Sequence, residues 1–127
     1  MILHTIWAKV KENNKYIVSI DGDIRSLPAM PYIDSRGRLR GKKGQLLNKR
    51  IEEIPRASGY IYKRVKYTLS GKSYVASRLV VSAFLGIKNK NLDIDHKDGN
   101  PQNNRLENLE EVTRKVNILR AMKLGLK

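Results

Sequence analysis

The 127-residue chain contains no cysteine, two histidines, one tryptophan, one phenylalanine and only 12 acidic residues. Without thiols it can form neither a disulfide framework nor a thiolate zinc site, and it has no cysteine nucleophile. No apolar run approaches the length of a membrane span, so no membrane partner is expected. The opening Met1-Ile2-Leu3-His4-Thr5-Ile6-Trp7 does not read as a signal peptide, which makes the cytoplasm the expected compartment. With 40% apolar residues, of which few are aromatic, the chain can bury a small core. Its length suits one domain, or one domain with a small appendage.

Positive charge is what the sequence has in excess. There are 26 Lys and Arg residues, for a formal charge of +14. A small protein so charged favours a polyanion as partner, and nucleic acid is the commonest. The excess is unevenly placed. Residues 1–90 hold 19 basic and 6 acidic side chains, whereas residues 91–127 hold 7 and 6. Grip and chemistry are therefore expected in different parts of the chain.

Local pattern divides the chain further. Tyr16-Ile17-Val18-Ser19-Ile20, the turn pair Asp21-Gly22 and Ile24-Arg25-Ser26-Leu27 predict a hairpin, ended by Pro28 and Pro31. Arg36 to Gly44 has neither helical nor strand period and reads as a mobile basic loop or arm. Gly59 to Val75 predicts a second hairpin turning at Ser70-Gly71-Lys72. A short helix follows over 78–85, with Ser77 as its N-cap and Gly86 as its stop. Leu92 to His96 alternates apolar and polar side chains as a half-buried strand does. Residues 97–105 are turn chemistry, with Asn100, Asn103 and Asn104 as turn residues and Asp93 and Asp98 shaping the turn. Leu109-Glu110-Glu111-Val112 returns as a strand. Thr113 caps a helix from Arg114 to about Leu124, with Val116, Leu119 or Ile118, and Met122 on its apolar side.

This strand–turn–strand–helix unit would gather a reactive set. Asp95 carboxylate and Asn117 amide oxygen are hard donors suited to a divalent cation such as Mg²⁺. His96 is the only histidine in this half, and an imidazole of ordinary pKa near 6.5 suits a general base. Asn108 could accept a proton from one ring nitrogen of His96 and leave the other free.

The string Asp95-His96-Lys97-Asp98-Gly99-Asn100, through Asn103-Asn104 and Asn108-Leu109 to Val112-Thr113 and Asn117, resembles the HNH nuclease motif. The likeness is greatest to the phage and intron-encoded homing endonucleases, and its core covers residues 92–117. More loosely, Tyr16 to Leu27 resembles the small module that precedes this nuclease. Gly59-Tyr60, Arg78-Leu79-Val80 and Ala83-Phe84 also resemble the family, although Ser77 stands where its usual wording has histidine. Longer relatives add a C-terminal DNA-binding module, expected to be absent here.

The resemblance implies an α+β protein. A basic N-terminal β-hairpin region with a flexible arm (residues 1–58) precedes a nuclease domain (residues 59–127), whose ββα-metal core is 92–124. It implies a metal-dependent DNA endonuclease, with His96 as the base that activates water and Asn108 orienting it. Asp95 and Asn117 would hold one divalent metal, Mg²⁺ or Mn²⁺. Arg36, Arg38, Arg40, Lys42, Lys43, Lys49 and Arg50, with Lys63, Arg64 and Lys66 on the second hairpin, are expected to contact the phosphates of double-stranded DNA. A monomer would nick and a homodimer could cut both strands. A phage-encoded chain would act in the cytoplasm of its host. Two alternatives stay open: a nucleic-acid-binding protein that does not cut, and a packaging or restriction-type nuclease of the same chemistry.

Overall fold

The computed structural model describes residues 5–86 and 91–123. It is a mixed sheet-and-helix fold, as expected. Strands β1 (Trp7–Lys9), β2 (Tyr16–Ser19) and β3 (Ile24–Ser26) form an antiparallel sheet in that order, with Trp7 opposite Ser19 and Tyr16 opposite Ser26. Between β2 and β3, Ser19 Oγ accepts hydrogen bonds from the amides of Asp21 and Asp23, which closes the turn around Gly22.

Strands β4 (Ala29–Ile33) and β5 (Leu39–Lys42) pair as a ribbon whose residues are all exposed. The segment expected to be a shapeless arm is thus partly a strand, and Pro31, expected to end a strand, lies inside one. A two-stranded ribbon has only edge strands, where proline costs little, and the register shifts between Ala29 and Tyr32. Asp34 sets the turn. Its Oδ1 accepts from the amides of Arg36 and Arg38, both at 2.9 Å, and its Oδ2 accepts from Arg40 Nε at 2.9 Å.

Strands β6 (Arg50–Pro55), β7 (Ile61–Leu69) and β8 (Lys72–Val75) form a second antiparallel sheet. Its β7–β8 hairpin has the expected turn, while β6 extends the sheet beyond expectation. Cross-strand charge pairing holds β6: Glu52 lies opposite Arg64 and also reaches Lys66. The expected division at residue 58 falls in the β6–β7 turn.

Helix α1 (Ala76–Phe84) starts directly from β8. Its N-cap is Val75, with no side-chain cap bond, and Ser77 is buried inside the helix rather than capping it. The strand delivers the chain in extended geometry, so the apolar stripe fixes the start. Leu79, Val80 and Val81 are fully buried and join Val18, Ile24, Val65, Leu69 and Leu109 in one core. That core ties the first sheet to the second and to the last third of the chain.

Strand β9 (Asp93–His96) pairs antiparallel with β10 (Leu109–Val112), with a 3-10 turn at Leu106–Asn108 before β10. Helix α2 (Arg114–Lys123) follows, capped by Thr113 Oγ1, which accepts from Val116 N at 3.2 Å. Leu124, expected to end it, lies outside the described residues. The apolar side expected for α2 is largely exposed at Val116, Leu119 and Met122, while Ile118 is half-buried. The helix meets β9 through polar side chains instead. Among the described residues no helix is long and apolar enough to cross a membrane.

Candidate active site

A cavity of about 370 Å³ lies where the second sheet, the start of α1, β9 and α2 meet. Tyr60, Tyr62 and Arg64 line one wall and Ser77 and Arg78 another. Asp93, Asp95 and His96 enter from β9, and Arg114, Asn117 and Arg120 from α2. Burial raises the Tyr62 phenol above its ordinary pKa, and Arg56 lies over its ring at 4.9 Å.

Strand alternation puts Asp93 and Asp95 on the same face of β9, towards α2. Asn117 Nδ2 donates to Asp93 Oδ2 at 3.2 Å, and Arg114 Nη2 stands 3.8 Å from Asp93 Oδ1. Asp93 is therefore part of the helix contact, not of the turn it was expected to shape. Arg120 Nη1 donates to Asp95 Oδ2 at 2.9 Å and to Glu110 Oε2 at 2.7 Å. Asp95 and Glu110 are cross-strand partners, so Arg120 bridges two facing carboxylates and offsets their repulsion. The same contact holds the Glu110 carboxyl below its ordinary pKa and raises that of Arg120.

His96 is buried at the end of β9, and its Nε2 lies 2.8 Å from Asn104 Oδ1. Asn108, expected to orient the imidazole, spends its side chain on the loop before it. Its Nδ2 donates to Asp98 Oδ1 and to Asn103 O, and its Oδ1 accepts from Asp98 N. Asp98 is the hub of that loop. Burial pushes its carboxyl up, but bonds from Asn103, the Asn100 amide and Asn108 together hold it below its ordinary pKa. Asn104 is the functional candidate that sequence reasoning passed over as a turn residue. The doublet Asn103-Asn104 carries a signal, because one amide serves the loop and the next is buried against His96.

Among the described residues no group of three or more His, Cys, Asp or Glu side chains is arranged to hold a metal ion. A site here would combine a carboxylate with an amide. Asp95 and Asn117 line the same cavity and offer such a set. Asn117 donates through Nδ2, which leaves its Oδ1 for a cation, and Arg120 occupies only the Oδ2 of Asp95. The residues present fit one hard divalent ion.

The basic residues divide. Arg36, Arg38, Lys42, Lys43 and Lys49 are exposed and make no ion pair among the described residues. Arg40 is held by Asp34, and Arg50 Nη2 donates to Ser73 Oγ. Arg64 and Lys66 are drawn onto Glu52 at 2.7 and 3.2 Å, so they brace the sheet, while Lys63 is exposed and 3.7 Å from Glu53.

Residues 74–119 match the HNH endonuclease family model. Over 68 residues the chain is 43% identical to the SPbeta prophage-derived protein YosQ of Bacillus subtilis (strain 168), whose name describes an HNH homing endonuclease. That alignment covers 51% of this chain and 39% of the relative. DNA endonuclease I-HmuI of Bacillus phage SP01 is 42% identical over 55 residues, covering 43% of this chain and 32% of its own. The solved structure of the HNH homing endonuclease I-HmuI, which concerns DNA binding and cleavage, aligns with a TM-score of 0.57 at 27% identity. It covers 96% of this chain and 60% of that one. The chain spans less than half the length of the curated relatives it matches. Residues 74–119 thus match the HNH endonuclease family, within a chain similar in sequence and in fold to HNH homing endonucleases of Bacillus phage and prophage origin.

Proposed function

We propose that the chain is a metal-dependent DNA endonuclease that hydrolyses phosphodiester bonds in double-stranded DNA. The observation that carries this reading is the convergence of His96, Asp95 and Asn117 on one arginine-lined cavity. Each group has a role there. His96 is the general base and takes a proton from water. Asp95 and Asn117 hold one divalent ion, Mg²⁺ or Mn²⁺. A cation bound there would supply positive charge to stabilise the negative charge that develops as the phosphodiester is cleaved. Arg78 and Arg114, on the cavity wall, orient the phosphate by charge-assisted hydrogen bonds. Asn108 serves the reaction by holding the loop that follows His96, through Asp98 and Asn103.

Most of the grip on DNA is assigned to residues 1–58 and the cutting to residues 59–127. The exposed ribbon β4–β5 tracks the DNA backbone with Arg36, Arg38, Lys42 and Lys43, and Lys49 extends its path. Lys63 adds a contact from β7. The products are a 5′ phosphate and a 3′ hydroxyl, formed in the cytoplasm of the host cell for a phage-encoded chain.

Incubation of supercoiled plasmid with the protein, with and without Mg²⁺, tests this. Nicked or linear product that requires the metal is expected. A gel shift with no product under any divalent cation would make the chain a DNA-binding protein that does not cut, and overturn the reading.

A further inference from the structure

We infer that Asn104 is the residue that fixes the imidazole of His96, and that the β2–β3 turn at Gly22 in turn fixes Asn104. This rests on the proposed role of His96 as base and adds the device that orients it. An amide oxygen only accepts hydrogen bonds. Facing Asn104 Oδ1 at 2.8 Å, a neutral ring donates from Nε2 and keeps its lone pair on Nδ1, the nitrogen that then takes the proton from water. Both residues are buried, at 8% and 6% exposure, so little solvent reaches that bond.

Asn104 is itself seated from outside the HNH segment's strands. Gly22 has φ +94°, and a Cβ there would stand 2.9 Å from Asn104 O and 3.1 Å from Asn104 Cβ. That separation leaves room for hydrogen alone, so the turn is a stop against which Asn104 rests. Neighbouring bonds fasten it. Leu106 N donates to Ile20 O at 2.8 Å, Arg105 Nη2 lies 3.3 Å from Asp21 Oδ1, and Tyr67 Oη donates to Gly22 O at 3.2 Å. The first sheet thereby reaches the reacting centre through one buried amide. Asn104 is a positioning residue, since it touches His96 and not the phosphate.

The tautomer can be read without DNA. In protein labelled with ¹⁵N-histidine, the His96 resonances are identified by their loss in H96A, which separates them from His4. The expected spectrum of the neutral ring is that of the Nε2–H form. Asn104→Leu, close in shape but without an acceptor, is expected to mix the two tautomers. It should also slow plasmid nicking by about 10- to 100-fold, a part of what a positioned general base contributes, with plasmid affinity unchanged. Asn104→Asp keeps an acceptor and is expected to keep the Nε2–H form. Gly22→Ala is expected to shift the spectrum in the direction of N104L, by less. An unaltered tautomer in folded N104L, or loss of the Nε2–H form in N104D, overturns the assignment. An unaltered spectrum in G22A overturns the role of the turn. Full cleavage by H96A would instead overturn the catalytic reading and leave the tautomer result standing.

Discussion

Arg120 bridges Asp95 and Glu110, with Nη1 2.9 Å from one carboxylate and 2.7 Å from the other. The guanidinium thus sits on one oxygen of the carboxylate proposed to hold the metal, and it offsets the repulsion between two cross-strand acids. Arg120→Ala removes a cation that competes for Asp95. Divalent-ion binding is expected to tighten, read by calorimetric titration with Mg²⁺ in the absence of DNA. Equal affinity in the variant and the parent would sink the idea that Asp95 is a ligand.

The same contact gives a pH dependence. Arg120 lowers the Glu110 carboxyl below its ordinary 4.5, so the folded state binds fewer protons than the unfolded state near that pH. The stability this contributes is present above about pH 4.5 and is lost as pH falls through the lowered value. Acid unfolding of Arg120→Ala, followed by circular dichroism, is expected to begin at higher pH than in the parent. Coincident acid limbs would show that the pairing contributes nothing.

The catalytic assignments separate cutting from binding. His96→Ala is expected to abolish plasmid nicking and to spare gel-shift affinity, because the buried imidazole has one edge held by Asn104 and is assigned no phosphate contact, while the arginines and lysines assigned to the phosphates are untouched. Asp95→Ala and Asn117→Ala are expected to raise the Mg²⁺ concentration needed for half-maximal cleavage. A His96→Ala protein that nicks at the parental rate would exclude this histidine as the base.

Spacing along the chain made much of the site legible. Asp95, His96 and Asn117 could be placed near one another because strand alternation, one turn and a helix leave few arrangements. The partner of His96 could not. Asn104 lies in turn chemistry and Asn108 just beyond it, before the second strand, and only the path of the loop decides which amide reaches the ring. That path depends on Asp98, whose bonds to Asn103 and Asn108 occupy the latter. The ribbon was hidden for another reason. Its strands are exposed on both faces, so no alternation of apolar and polar residues marks them, and Asp34 supplies the turn from outside the basic run. Strand β6 was obscured likewise, since the partners of Glu52 lie 12 and 14 residues away on β7.

The basic residues should fall into two classes. Replacing Arg36, Arg38, Lys42 and Lys43 together by Ala removes charges that support no core and, among the described residues, pair with no acid. Melting temperature is expected to be unchanged. The log–log slope of DNA binding against salt is expected to flatten by about 0.9 for each phosphate that is no longer neutralised. Arg64→Ala is expected to lower the melting temperature, because it unpairs Glu52 between β6 and β7. The opposite pattern, a destabilised ribbon variant with an unaltered salt slope, would remove the ribbon from the DNA interface.

Tyr67 joins the second sheet to the turn that seats Asn104. Its ring is buried at 3% exposure and its hydroxyl donates to Gly22 O at 3.2 Å. Burial, followed by the nearby charge of Asp23, pushes its phenol up to about 12 from an ordinary 10.0. Between those values the unfolded chain has released the proton and the folded chain keeps it. The folded state therefore binds more protons there, and stability falls as pH rises across that window. Tyr67→Phe is expected to lose about 1 kcal/mol at neutral pH, the usual net worth of a hydrogen bond. It should also flatten the alkaline limb, because phenylalanine has no proton to release. Urea unfolding at pH 7, 10 and 11 measures both effects. A Phe variant whose stability falls between pH 10 and 11 as steeply as the parent's would show that Tyr67 is not the group that titrates.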